Sequence, residues 1–223
     1  MSRTAISLVT LLLLHALPAR AHYLWIEPTP SGLVLRFGEY QENLRESAAT
    51  RLGEIPGPRA QLEAATGWAP APLERADDGF AFGTPGAAAT AVESEVAVRD
   101  LTKNGLGVVK PMFYARLAAS SARPQPSLTL DFVPIAAGRV RLTLHGQPLA
   151  NASVSLYDPE RVVTTLTSDA AGEIAIAPDK PGLYVLDAVH VEAKPGSFGG
   201  VSYEAVRHRA TLTLPGTSTP VGR

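Results

Sequence analysis

Few residues in this sequence are equipped for chemistry, and they are mostly histidines. Four of them lie beyond the first 21 residues: His22, His145, His190 and His208. Cysteine is absent, and Met112 is the one methionine after Met1. Thiolate ligands are therefore excluded and a methionine-rich cuprous site is ruled out, so a bound metal must be held by nitrogen and oxygen. The most suggestive stretch is Ala19-Arg20-Ala21-His22-Tyr23-Leu24-Trp25-Ile26-Glu27-Pro28. A cut between Ala21 and His22 creates a terminus whose free α-amine and imidazole Nδ1 close a six-membered chelate ring on one ion. The amine, with a reference pKa of about 7.7 to 8.0, must lose its proton to bind, so occupancy falls in acid.

That cut is expected because residues 1–21 have the three parts of an export signal. Arg3 stands near the start, an apolar run follows from Ile6 to Leu17, and Ala19 and Ala21 are the small residues before the cleavage point. The run is shorter than the roughly 20 apolar residues that span a bilayer, and no later segment reaches that length. Stable membrane insertion is not expected, and the mature protein is expected in the periplasm or secreted. Cleavage sheds Arg3 and Arg20 but no acid, taking the formal net charge from −1 to −3. A mildly acidic chain without basic clusters is not expected to bind nucleic acid.

The elements that must position these histidines read as β-strands. High proline and glycine content, short apolar runs and no long helical period predict an all-β protein. Tyr23 to Glu27 and Leu33 to Phe37, separated by Pro28-Thr29-Pro30-Ser31-Gly32, predict a hairpin that fastens the new terminus to a sheet. Residues 41–91 carry little periodicity. They predict loop with one or two strands, plus a short helix between Gln41 and Leu52 that Pro56 stops. Strands are predicted again over Val92–Arg99, Lys110–Ala118 and Leu128–Phe132. The clearest alternation follows at Val140, Leu142 and Leu144, and a last long strand is expected from Tyr203 to Leu214.

The segments "GQPLANASVSLYD", "TLTSDAAGE" and "KPGLYVLDAVH" resemble the transthyretin-like or carboxypeptidase-regulatory-like β-sandwich. With "AHYLWIEP" at the mature start and "YEAVRHRATLTL" near the end, the chain is similar to a family of exported proteins of unassigned function that often accompany nickel and cobalt uptake transporters. The resemblance implies an all-β sandwich with a transthyretin-like C-terminal half. The expected layout is a signal peptide over 1–21, a β-rich region over 22–135, a transthyretin-like sandwich over 136–214 and a flexible tail over 215–223. It also implies that His22, His190 and His208 converge on one metal ion, with an uptake transporter as partner.

Taken one at a time, the late histidines leave alternatives open. His208 shares a strand face with Val206, Ala210 and Leu212, which suits a hydrogen-bonded core histidine as well as a ligand. His190 and Glu192 share a face of the preceding strand, so the carboxylate either binds metal or orients a ring. His145 ends a strand at a turn and reads as solvent-exposed. Nitrogen-rich ligands favour nickel, cobalt or copper over calcium or magnesium. Two rival readings stand beside metal capture: a metal-free adhesion-type module, and a copper-dependent oxidative enzyme. Hydrolytic motifs such as G-x-S-x-G and H-E-x-x-H are absent from the sequence.

Overall fold

A computed structural model describes residues 22–118, 125 and 127–216. The expected signal segment, most of the loop before Ser127 and the end of the expected tail lie outside the described residues. Within them the protein is all-β, with three single-turn 3₁₀ segments and no α-helix. The N-terminal half supplies β1 (Tyr23–Thr29), β2 (Gly32–Glu39), β3 (Leu44–Arg45), β4 (Arg59–Ala64), β5 (Gly67–Ala71), β6 (Glu74–Ala76), β7 (Gly79–Phe82), β8 (Ala89–Glu93), β9 (Arg99–Asp100) and β10 (Val108–Leu117). The C-terminal half supplies β11 (Leu130–Ala136), β12 (Arg139–Leu144), β13 (Gln147–Pro148), β14 (Ser153–Tyr157), β15 (Val163–Thr167), β16 (Glu173–Ala175), β17 (Gly182–Glu192), β18 (Gly196–Phe198), β19 (Val201–Tyr203) and β20 (Ala205–Gly216).

One sheet runs through both halves in the order β15-β14-β17-β20-β10-β8-β4-β5. The junction is the parallel pairing of β10 with β20, from Val109 opposite Ala205 to Leu117 opposite Thr213. A sheet of β1, β2, β7, β6 and β3 covers one face, and a sheet of β11, β12, β13 and β16 covers the other. Strand β10 is thus covered on both sides, which is why its sequence is nearly continuously apolar instead of alternating. Phe113, Ala115 and Leu117 pack with Leu24, Leu35 and Phe37 on one face. Tyr114 packs with Phe132, Leu142, Leu186 and Leu212 on the other. A third cluster of Tyr23, Trp25, Tyr40, Tyr157 and Val185 ties the first strand to the C-terminal half. The Tyr40 hydroxyl donates to the Leu183 carbonyl at 2.9 Å, and Thr211 donates to the Leu24 carbonyl at 2.7 Å.

Two expectations are corrected. Residues 41–91 hold six strands, β3 to β8, and the expected helix is replaced by 3₁₀ turns at Tyr40–Glu42 and Leu52–Glu54. These strands are short, with β3 to β6 largely exposed and β7 and β8 buried on nearly every residue, so none shows the two-residue alternation that marks a strand with one buried face. The boundary at 135/136 falls at the end of β11, which forms a hairpin with β12, Leu130 facing Leu144. Strand β11 therefore belongs with the C-terminal sheet, and the halves interlock through β10 and β20.

Candidate functional site

His22 directly precedes β1, and the β1–β2 register places it. Tyr23 faces Gly38, so His22 falls opposite Glu39, whose Oε1 lies 3.2 Å from the imidazole Nδ1. Gly38 makes the next step possible. A Cβ there would stand 2.2 Å from the Leu44 carbonyl oxygen, so only glycine lets β3 close on β2 at this point. The chain then continues into Glu46, whose backbone N–H donates to the Phe37 carbonyl at 2.8 Å. Its carboxylate is hydrogen-bonded to the imidazole Nε2. Glu39 and Glu46 are only 2% and 5% exposed. The ring also packs on Phe37 at a centroid distance of 5.2 Å.

Two buried carboxylates thus grip the two ring nitrogens from opposite sides. Burial works against ionisation of Glu46, yet hydrogen bonds from Thr50, the His22 ring and the Arg51 backbone hold its carboxyl below the ordinary range. The Arg51 guanidinium lies 3.4 Å and 3.3 Å from Nδ1 and Nε2 and is itself engaged with Glu54 at 2.7 Å. An ionised Glu46 accepts the proton on Nε2 and so fixes the tautomer. In the neutral ring, Nδ1 then turns a lone pair toward the Glu39 carboxylate. Two acceptors at 3.2 Å attract only with a cation, proton or metal, between them.

His190 and His208 meet elsewhere. They face each other directly across β17 and β20, which puts both side chains on one face. The His208 ring stacks on Tyr114, and its Nδ1 is 2.9 Å from that hydroxyl. Its Nε2 lies 3.1 Å from Glu192 Oε2. The other Glu192 oxygen is 3.1 Å from His145 Nε2, and the His145 and His208 rings meet edge-on at 6.3 Å. Tyr114 belongs to the C-terminal core, whereas His22 sits with Phe37, which meets Phe113 on the opposite face of β10. The sheet stands between the two groups, so His22, His190 and His208 do not converge. Among the described residues, no group of three or more His, Asp or Glu side chains is arranged to hold a metal ion.

His145 is exposed, as expected, and is also anchored. Its φ of 51°, followed by 75° at Gly146, forms the left-handed two-residue turn joining β12 to β13, and this carries the ring to Glu192. The dipeptide His145-Gly146 was the available signal. Glu39 was also within reach, since counting back along the β1–β2 hairpin pairs it with His22. Glu46 left no such trace.

Burial pushes the His208 imidazole below its ordinary value, against the pull of Glu192, and His190 and His145 push in the same direction as burial. Glu192 is also held low: burial opposes this, and hydrogen bonds from His208 and His145 overcome it. Both shifts have one sign. As pH falls below about 6.5 the unfolded chain takes up protons before the folded one, so stability is present above that range and is lost on acidification. Denaturant midpoints measured between pH 7.5 and 5 should fall for the wild-type chain and fall less for His208→Leu; equal slopes would refute this assignment.

Compared with known protein-family models, curated proteins and solved structures, the chain matches none.

Proposed function

We propose that the mature protein binds a divalent nickel, cobalt or copper ion through its N-terminal histidine, in the periplasm or as a secreted protein, and captures or hands over that ion for an uptake transporter. The observation that carries the reading is the Nδ1–Glu39 contact of 3.2 Å, with Glu46 on the other ring nitrogen, a geometry that calls for a cation, proton or metal, at Nδ1. Two donors each about 2.1 Å from one ion and at a right angle stand roughly 3 Å apart, which matches that spacing. The ligands would be the α-amine and Nδ1 of His22 together with Glu39. Glu46 would orient the ring, as carboxylates commonly do for metal-bound histidines. Two side chains and a backbone amine make up the set, which is why no cluster of three side chains is needed. Two nitrogens and one oxygen suit nickel, cobalt or cupric ion.

A metal-free binding module is favoured by one observation. His208 is saturated by Tyr114 and Glu192 in the manner of a core histidine, so the late histidines need no ion. The readings separate on protein purified from the periplasm of its own source. The metal-binding reading expects His22 as the first residue by N-terminal sequencing and about one equivalent of nickel, cobalt or copper by elemental analysis. A chain that begins at His22, carries no metal and fails to bind nickel or cupric ion on titration would overturn it.

A further inference from the structure

His22 forms part of the wall of a cavity of about 180 Å³. Apolar side chains line much of it, Phe37 and Phe113 among them, and the charged lining is Arg51, Arg99, Arg207 and Glu54. Arg51 and Arg99 share Glu54, each at 2.7 Å. Among the described residues Arg207 has no such neighbour. Its Nε is buried without a hydrogen-bond partner. The acid that acts on it, Asp187, is held by Arg209 through two bonds of 2.8 Å and 2.7 Å. Burial and the adjacent Arg209 push the Arg207 pKa down only to about 10, so its charge persists at neutral pH. A half-buried guanidinium whose Nε is shut off from solvent without a partner is unfavourable by itself, and its planar fork matches a carboxylate.

We propose that this cavity binds a small aliphatic carboxylic acid, with its carboxylate on Arg207 and its carbon body against Phe37 and Phe113, beside the metal position at His22. The apolar walls favour an organic acid over an inorganic oxyanion, which has no carbon body to bury. Resting on the metal-binding reading, the cargo is then a metal ion carried with its carboxylate chelator, a second group of which can fill a position the protein leaves open.

The test uses the processed chain, first stripped of metal. Titration with acetate, malonate and succinate, and with inorganic phosphate as control, is followed by calorimetry and by the Nε–H resonance of Arg207. Binding of an acid that shifts this resonance is expected, with Arg207→Gln weakening it by about tenfold or more, the loss of a charge-assisted hydrogen bond, and Arg207→Lys less. No acid binding at millimolar concentration, an unmoved Arg207 resonance, or phosphate binding as tightly as the acids would overturn the proposal. The resonance is read on the wild-type chain, so the outcome stands even if Arg207→Gln fails to fold. Nickel titration without acid separates the two ideas: nickel binding with no acid binding sinks the cavity alone, and acid binding with no nickel binding sinks the metal reading alone.

Discussion

Replacing Asp131 with alanine should lower the unfolding free energy by about 3–5 kcal/mol, the usual effect of removing one partner from a buried ion pair. The Asp131 and Arg116 side chains are 0% and 1% exposed. The carboxylate accepts from Arg116 Nε at 2.8 Å and Nη2 at 2.6 Å, and from the backbone N–H groups of Ser127 and Leu128 at 2.8 Å and 3.2 Å. Removing it strands a guanidinium that already has one buried nitrogen, Nη1, without a partner. Packing of Arg116 over Trp68 at 5.1 Å supplies no countercharge. The double variant Arg116→Met with Asp131→Leu should recover most of the loss, because apolar replacement of a whole buried pair is often near neutral. Denaturant unfolding of the two single variants and the double variant measures this directly. A loss below about 1 kcal/mol in Asp131→Ala would mean that solvent reaches the pair.

Arg116 and Asp131 also show where sequence reading stopped. Arg116 interrupts the apolar run of β10 and Asp131 sits inside the alternating Leu128–Phe132 strand, so each reads as an outward-facing charge. They are buried because β10 is covered on both faces and β11 lies against it. That arrangement follows from the parallel contact of β10 with β20, which joins residues nearly a hundred positions apart, and no local pattern records it. Strands β12 and β14 were legible because each alternates between a buried and a more open face, and β17, buried on both faces from Tyr184 to Ala188, because Pro181-Gly182 marks its start. The hairpin that carries His22 was legible too, and with it the position of Glu39. Glu46 was not, because its approach depends on the bare Cα of Gly38 against the Leu44 carbonyl. The relation of His22 to His208 was hidden for a similar reason: periodicity gives the face of each strand but not which sheet covers that face.

The second large effect concerns the amine. One glycine added before His22 moves the free amine about one residue, roughly 3.8 Å, and the six-membered ring with Nδ1 can no longer close through it. Nickel affinity should drop by roughly 100-fold or more, the scale on which a second linked contact strengthens binding. The fold should be untouched, since His22 precedes β1 and its strand hydrogen bonds begin at Tyr23. Glu39→Gln removes the proposed oxygen ligand and should weaken binding comparably. Glu46→Gln leaves an acceptor for Nε2–H and should cost about 10–100-fold, as expected for a group that only orients a ligand. His208→Gln and His190→Gln lie across the sheet from His22 and should leave nickel affinity unchanged. The five results discriminate together, by titration of processed protein with unfolding curves as a control. Indifference to the extension and to Glu39→Gln, with loss in His208→Gln, would move the metal to the Glu192 cluster and remove His22 from the site.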